Sequence, residues 1–126
     1  MPRESKAPQR RGAVRQPVAV VPRTARVLYG GVAQRPIRLG VLDVSATGVN
    51  VRSTDELRVG DLLELAFDVL DGEIHVHARV TRITRQTRFW SAGCAFEGVT
   101  EPQAERIVKF VFAEQRSMLR KLRGDQ

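Results

Sequence analysis

The feature that most constrains this chain is a change of hydrophobic period close to residue 100. Upstream of it, apolar side chains recur at every second position. Leu63, Leu65 and Phe67 alternate with Glu64 and Ala66, and Ile74, Val76, Ala78 and Val80 follow with His75, His77 and Arg79 interposed. Alternation sends one set of side chains to a core and the other to water, which defines half-buried strands. Downstream, Ile107, Val108, Val111, Phe112, Met118, Leu119 and Leu122 recur at spacings of three and four, the stripe of an amphipathic helix.

Local signals fix where these elements begin and end. Thr100 followed by Gln103 is a capping box, and Pro102 sits in the first turn, where the missing N–H costs nothing. The helix is expected from Glu101 to about Arg123, with Gly124 as its stop. At about 1.5 Å per residue it spans roughly 34 Å, about twice what closing one end of a small barrel requires. Its second half, with Met118, Leu119 and Leu122 on one side, suits a partner or a second copy.

Among the strands, Val18–Val21 is interrupted by Pro22, which implies an edge or a bend. Ala25–Tyr29 ends at Gly30-Gly31, and Pro36–Val44 forms a third extended stretch. Val49 and Val51 mark a short strand, Asp71-Gly72 a hairpin turn, Gln86–Arg88 another tip, and Phe89–Phe96 the final strand. Short strands joined by hairpins and followed by one helix imply a mainly β fold: a small, six-stranded antiparallel β-barrel with a long C-terminal helix. Closure would remove the exposed edges of a free sheet.

Length and composition limit what such a fold can do. The 126 residues supply one modest core. Cys94 is the single cysteine, which excludes an internal disulfide and a cysteine-built zinc site. No apolar run is long enough to span a bilayer, and no apolar segment follows Met1–Lys6, so a cytoplasmic protein is expected. Net charge is +7, from 21 Lys and Arg against 14 Asp and Glu. It is unevenly placed: up to Arg38 the chain carries nine cations and Glu4 alone, leaving twelve cations and thirteen acids beyond. All but three of the cations are Arg, whose planar fork grips phosphates and base edges and stacks on rings; genome composition raises Arg content equally well.

Catalytic signals are weak. His75 and His77 share one strand face without an evident third ligand, and read as surface histidines rather than a metal site. Cys94, between Gly93 and Ala95, reads as a small buried hydrophobe. No nucleophile elbow, zincin or phosphate-loop pattern is present, so no enzyme and no cofactor are expected.

Two clusters stand out. Arg10, Arg11 and Arg15 fall within six residues of a segment too polar to pack, and Arg11 and Arg15 are spaced to grip one anion from two sides. Asp43-x-Ser45-x-x-Gly48 joins two strands. It reads either as a plain turn, with Asp43 and Ser45 bonding local backbone and Gly48 supplying positive φ, or as a carboxylate and hydroxyl presented at a barrel rim. A carboxylate there accepts from the N1–H and N2–H₂ of guanine, while an Arg reads the O6/N7 edge.

The order Arg11-x-x-x-Arg15, 27 residues, Asp43-x-Ser45-x-x-Gly48, then a meander and a helix resembles the PilZ family. The likeness runs from Gln9 to Phe112 and includes Gly93-Cys94-Ala95-Phe96 before the helix; the longer C-terminal helix departs from the family pattern. The resemblance implies a non-enzymatic β-barrel receptor for the bacterial second messenger cyclic di-GMP. Arg11 and Arg15 would clasp phosphates and guanine edges. Asp43 and Ser45 would meet the N1/N2 edge, Gly48 would allow close backbone approach, and Arg10 would accompany a stacked ligand dimer. Signal would pass to an unidentified partner protein as the arm orders. A single-stranded nucleic-acid binder, or an adaptor that has lost its ligand, are the competing readings. The first would need exposed aromatics, whereas Tyr29, Phe67, Phe89, Trp90 and Phe96 mostly occupy core-like positions. The chain divides into a flexible tail (1–9), a barrel with its Arg-rich arm (10–100) and the helix (101–126).

Overall fold

A computed structural model of the chain describes residues 18–29 and 32–124. These residues form seven strands and one helix: β1 (Thr24–Tyr29), β2 (Val32–Pro36), β3 (Leu39–Val44), β4 (Gly48–Ser53), β5 (Leu62–Val69), β6 (Gly72–Arg85), β7 (Trp90–Glu97) and α1 (Glu101–Leu122). All pairings are antiparallel, in the order β2-β1-β5-β6-β7-β4-β3. The mainly β architecture with a terminal helix is as expected, with seven strands rather than six among the described residues, and the sheet is a curled half-barrel.

The differences have local causes. The stretch Pro36–Val44 is two strands, because Ile37-Arg38 carries the chain from one edge of the sheet, β2, to the other, β3. Val18–Val21 shrinks to one bridge, Val20 to Val41, with main-chain bonds of 2.9 and 2.7 Å. Pro22 then breaks the pairing, and Arg23 N–H crosses to the carbonyl of Ala66 at 2.8 Å. This segment therefore stitches β3 to β5 across the opening of the half-barrel.

The interior is made by the alternating positions. Val27, Val41, Val51, Leu63, Leu65, Phe67, Ala78 and Val80 are all essentially inaccessible. The turn between β5 and β6 is Leu70-Asp71, one residue earlier than expected, with Gly72 at φ 134°, a conformation that other residues rarely adopt.

The helix begins as its sequence dictates. Thr100 is the N-cap, its hydroxyl accepts from the Gln103 N–H, and the Gln103 side chain accepts from the Thr100 N–H, completing the capping box. Gly124, at φ 69°, follows the last turn. Ala104, Ile107 and Val111 close one end of the core, and Phe110 packs on Phe67 with ring centroids 5.7 Å apart. Further along, the Gln115 amide donates to the carbonyls of Val18 (3.0 Å) and Leu42 (2.7 Å). One side chain thus fastens the helix to the edge strand and to the start of the described chain. Beyond it Leu119 and Leu122 are exposed, since α1 outruns the barrel.

Candidate functional site

The Asp43–Gly48 segment lies at the β3–β4 hairpin. Asp43 still belongs to β3, and only Ser45–Thr47 form the turn, closed by Ser45 N–H to Gly48 carbonyl at 2.9 Å. Asp43 does not bond local turn backbone. Its carboxylate accepts from the Asn50 amide at 2.8 Å. Asn50 in turn accepts from the Arg82 guanidinium at 3.1 Å.

Register explains this chain of contacts. Asp43 stands opposite Asn50, Asn50 opposite Gly93, and Gly93 opposite Arg82, so the four residues form one row across β3, β4, β7 and β6. Two β-bulges produce the row. Register shifts between Val41 and Asp43, and between Val80 and Arg82, so Leu42 and Thr81 are the extra residues. Val41 and Val80 face the core, and each bulge turns the polar residue two positions later outward instead of inward.

Gly93 completes the arrangement. A Cβ there would lie 2.6 Å from Arg82 Cζ, so the guanidinium rests flat on a strand that has no side chain in its way. The row floors a shallow concavity of about 270 Å³ that also takes in Ser45, Thr47 and Gly48. A neighbouring hollow of about 230 Å³ extends it past Asn50 and Arg82 to Thr84 and Ser91. The surface offers a carboxylate, an amide, a hydroxyl and a guanidinium within one small area, the donor and acceptor set that a purine edge or a phosphate requires.

Ser45 and Gly48 have structural roles of their own. Ser45 Oγ is engaged within its own turn, accepting from Thr47 N–H at 3.3 Å and lying 3.3 Å from the Thr47 hydroxyl. Gly48 is not at positive φ. It is required by a neighbouring strand: a Cβ would fall 2.1 Å from the Cys94 carbonyl oxygen. Sequence alone does not single out Asn50, Arg82 or Gly93 as site residues. The available signal was the glycine inside the last strand, which marks a close approach. Arg10, Arg11 and Arg15 lie outside the described residues.

The other candidates are quiet. His75 and His77 are exposed; His75 lies 2.8 Å from Glu73 and His77 lies 3.6 Å from Glu64. Among the described residues, no group of three or more His, Cys, Asp or Glu converges. Cys94 is buried, and burial pushes its thiol up to about 12, against a smaller opposing pull from Arg82. Of the aromatics expected at core-like positions, only Phe67 is fully buried. Tyr29 is exposed, Arg52 lies 5.4 Å over Phe89, and Arg85 lies 5.0 Å over Trp90. No helix among the described residues is long and apolar enough to cross a membrane.

An antiparallel half-barrel, closed by one helix and carrying a polar row beside a strand–turn–strand motif, is the build of a small binding domain. The family model described as PilZ domain matches residues 9–113, most of the chain, and the chain belongs to that family. PilZ domains are generally non-enzymatic and generally bind cyclic di-GMP as effectors. No curated protein matches the chain.

Proposed function

We propose that this chain is a non-enzymatic receptor for cyclic di-GMP that closes its Arg-rich N-terminal segment over the nucleotide. The observation that carries the reading is the Asp43–Asn50–Gly93–Arg82 row, positioned beside the point where that segment joins the fold. The Gln115 amide holds Val18, the first described residue, beside Leu42, the neighbour of Asp43. Arg15 lies three residues before Val18 in the sequence, and Arg11 seven. Asp43 meets the guanine N1/N2 edge, Arg11 and Arg15 take phosphates and the O6/N7 edge, and Arg10 supports a second, stacked nucleotide. The hydroxyl of Ser45 serves mainly to hold the turn that presents Asp43.

Closure of the segment alters the surface beside Gln115 and the helix, which is how an occupied site is signalled to a partner protein in the cytoplasm. The exposed end of α1 is the face available for self-association. Titration calorimetry with cyclic di-GMP tests the reading. Micromolar or tighter binding is expected, with Arg15→Ala costing about 2–4 kcal/mol for the lost charged bidentate contact, and Asp43→Ala somewhat less. Absence of binding, or affinity unchanged in both variants, refutes the site.

A second reading, single-stranded nucleic-acid binding, draws on the Arg52–Phe89 and Arg85–Trp90 stacks. Tighter binding of an oligonucleotide than of cyclic di-GMP would favour it.

A further inference from the structure

A second and larger concavity lies away from the polar row. It occupies about 1060 Å³ where the half-barrel opens, between the stitching segment, the Ile37-Arg38 crossing, the end of β4 and the β6–β7 tip. That is the upper end of the range for small-molecule sites, and the shape is an open groove. Val21, Pro22, Ile37, Leu39 and Phe89 give it an apolar lining, and Val21 is 68% exposed.

Its charge is of one sign. Arg23 and Arg26 line the groove but are paired, with Asp68 and Glu73 and with Glu64 respectively. Arg38, Arg52 and Arg88 line it too, and none of the three forms an ion pair with a described carboxylate. Arg52 is held over the Phe89 ring, so its position is fixed although its charge is not neutralised.

The groove also presents main chain. Val41 gives both its N–H and its C=O to Val20. Alternation along β3 turns the N–H and C=O of Leu39 to the same side, where no described residue pairs with them, since the Val20–Val41 bridge is isolated and Pro22 breaks the segment beyond it. The break at Pro22 therefore leaves one pairing position on β3 open at the groove.

We propose that this groove docks an extended, acidic segment of a partner protein, which adds to the β3 edge at Leu39. Its alternate apolar side chains enter the lining around Val21, Ile37 and Phe89, and its carboxylates meet Arg38, Arg52 and Arg88. Charge selects the occupant. The chain's own N-terminal segment carries Arg3, Lys6, Arg10, Arg11 and Arg15 against Glu4, the same sign as the groove, so charge complementarity favours an acidic partner. A peptide supplies main-chain groups for Leu39, apolar side chains and carboxylates together. The proposal does not depend on the nucleotide reading, because no residue of the polar row lines this groove.

The test uses the full chain, isotope-labelled, without nucleotide. The probe is a short fluorescein-labelled peptide alternating Val or Phe with Glu; its counterpart has Lys in place of every Glu. The acidic peptide is expected to bind, to shift the amide signals of Leu39, Gly40, Ser53 and Phe89, and to weaken as salt rises. Arg38→Glu with Arg88→Glu should lower its affinity at least about tenfold, roughly 1.4 kcal/mol, while circular dichroism stays unchanged. Val21→Glu provides an independent variant with the same expectation. No binding of the acidic peptide, equal binding of the Lys peptide, or shifts confined to the Asp43–Arg82 row would overturn the proposal. Preference for an oligonucleotide over the acidic peptide at the same groove would overturn it as well.

Discussion

Replacing Gly48 by Ala separates two explanations for that glycine. If it serves close approach of a ligand, the variant folds normally and loses affinity. The geometry says otherwise. The new Cβ would sit 2.1 Å from the Cys94 carbonyl oxygen, 3.1 Å from its carbonyl carbon and 3.3 Å from Ala95 Cα. All three are main-chain atoms of β7, so no rotamer change relieves the clash. The β4–β7 separation must widen until 2.1 Å becomes at least 3.0 Å, which strains the Gly48–Ala95 and Val49–Cys94 pairs. Overpacking commonly costs about 1–3 kcal/mol, and a rigid backbone neighbour belongs at the upper end. For a domain near a hundred residues, about 2–3 kcal/mol lowers Tm by roughly 8–20 °C. Gly93→Ala is the matched control. Its Cβ meets only the Arg82 guanidinium, at 2.6–2.7 Å, the end of a flexible side chain. That variant should lose the Arg82–Asn50 bond and little stability, roughly 1 kcal/mol or less. Thermal unfolding followed by circular dichroism reads both. A Gly48→Ala protein melting within about 2 °C of wild type, well inside the predicted shift, would refute the strand-approach explanation.

Other consequences are open to measurement. Gln115→Ala removes two bonds to main-chain carbonyls and should cost about 1–3 kcal/mol, with faster amide exchange at Val20 and Val41; unchanged exchange there would rule out the fastening role. Burial holds the Cys94 thiol neutral up to about 12, above the ordinary 9.0, so its contribution is fully present below pH 9 and is lost as pH rises toward 12. Urea titrations of wild type should therefore show stability falling over that window, and Cys94→Ala should flatten the fall. Cyclic di-GMP should saturate at two molecules per chain in wild type and one in Arg10→Leu; calorimetric stoichiometry of one in both would remove the stacked-dimer expectation. Amide exchange at Arg10–Arg15 should slow when nucleotide is added, and equal exchange with and without it would count against closure of the segment.

The sequence alone determined those parts of the protein that depend on neighbours in the chain. Period-two alternation marks the central strands, and Thr100, Gln103 and Gly124 delimit the helix, because capping and turn chemistry act over a few residues. The family likeness was also legible, being carried by short motifs in order. What needed tertiary structure was every feature set by register between distant strands. Nothing local shows that Pro36–Val44 must cross from one sheet edge to the other, so one strand was read where there are two. On sequence Asp43 reads either as a turn residue or as a rim carboxylate, because the bulge at Leu42 that settles its strand position depends on pairing with β4. On sequence Gly48 reads as a turn glycine or as one that allows close backbone approach to a ligand; its contact with Cys94, whose carbonyl excludes a Cβ, is not legible because Cys94 lies far along the chain. Arg82 was invisible as a site residue for the same reason: only the alignment of β3, β4, β7 and β6 brings it, over Gly93, to the carboxylate's neighbour Asn50. Side-chain period is a property of one strand, but a row across four strands exists only once the sheet has chosen its register.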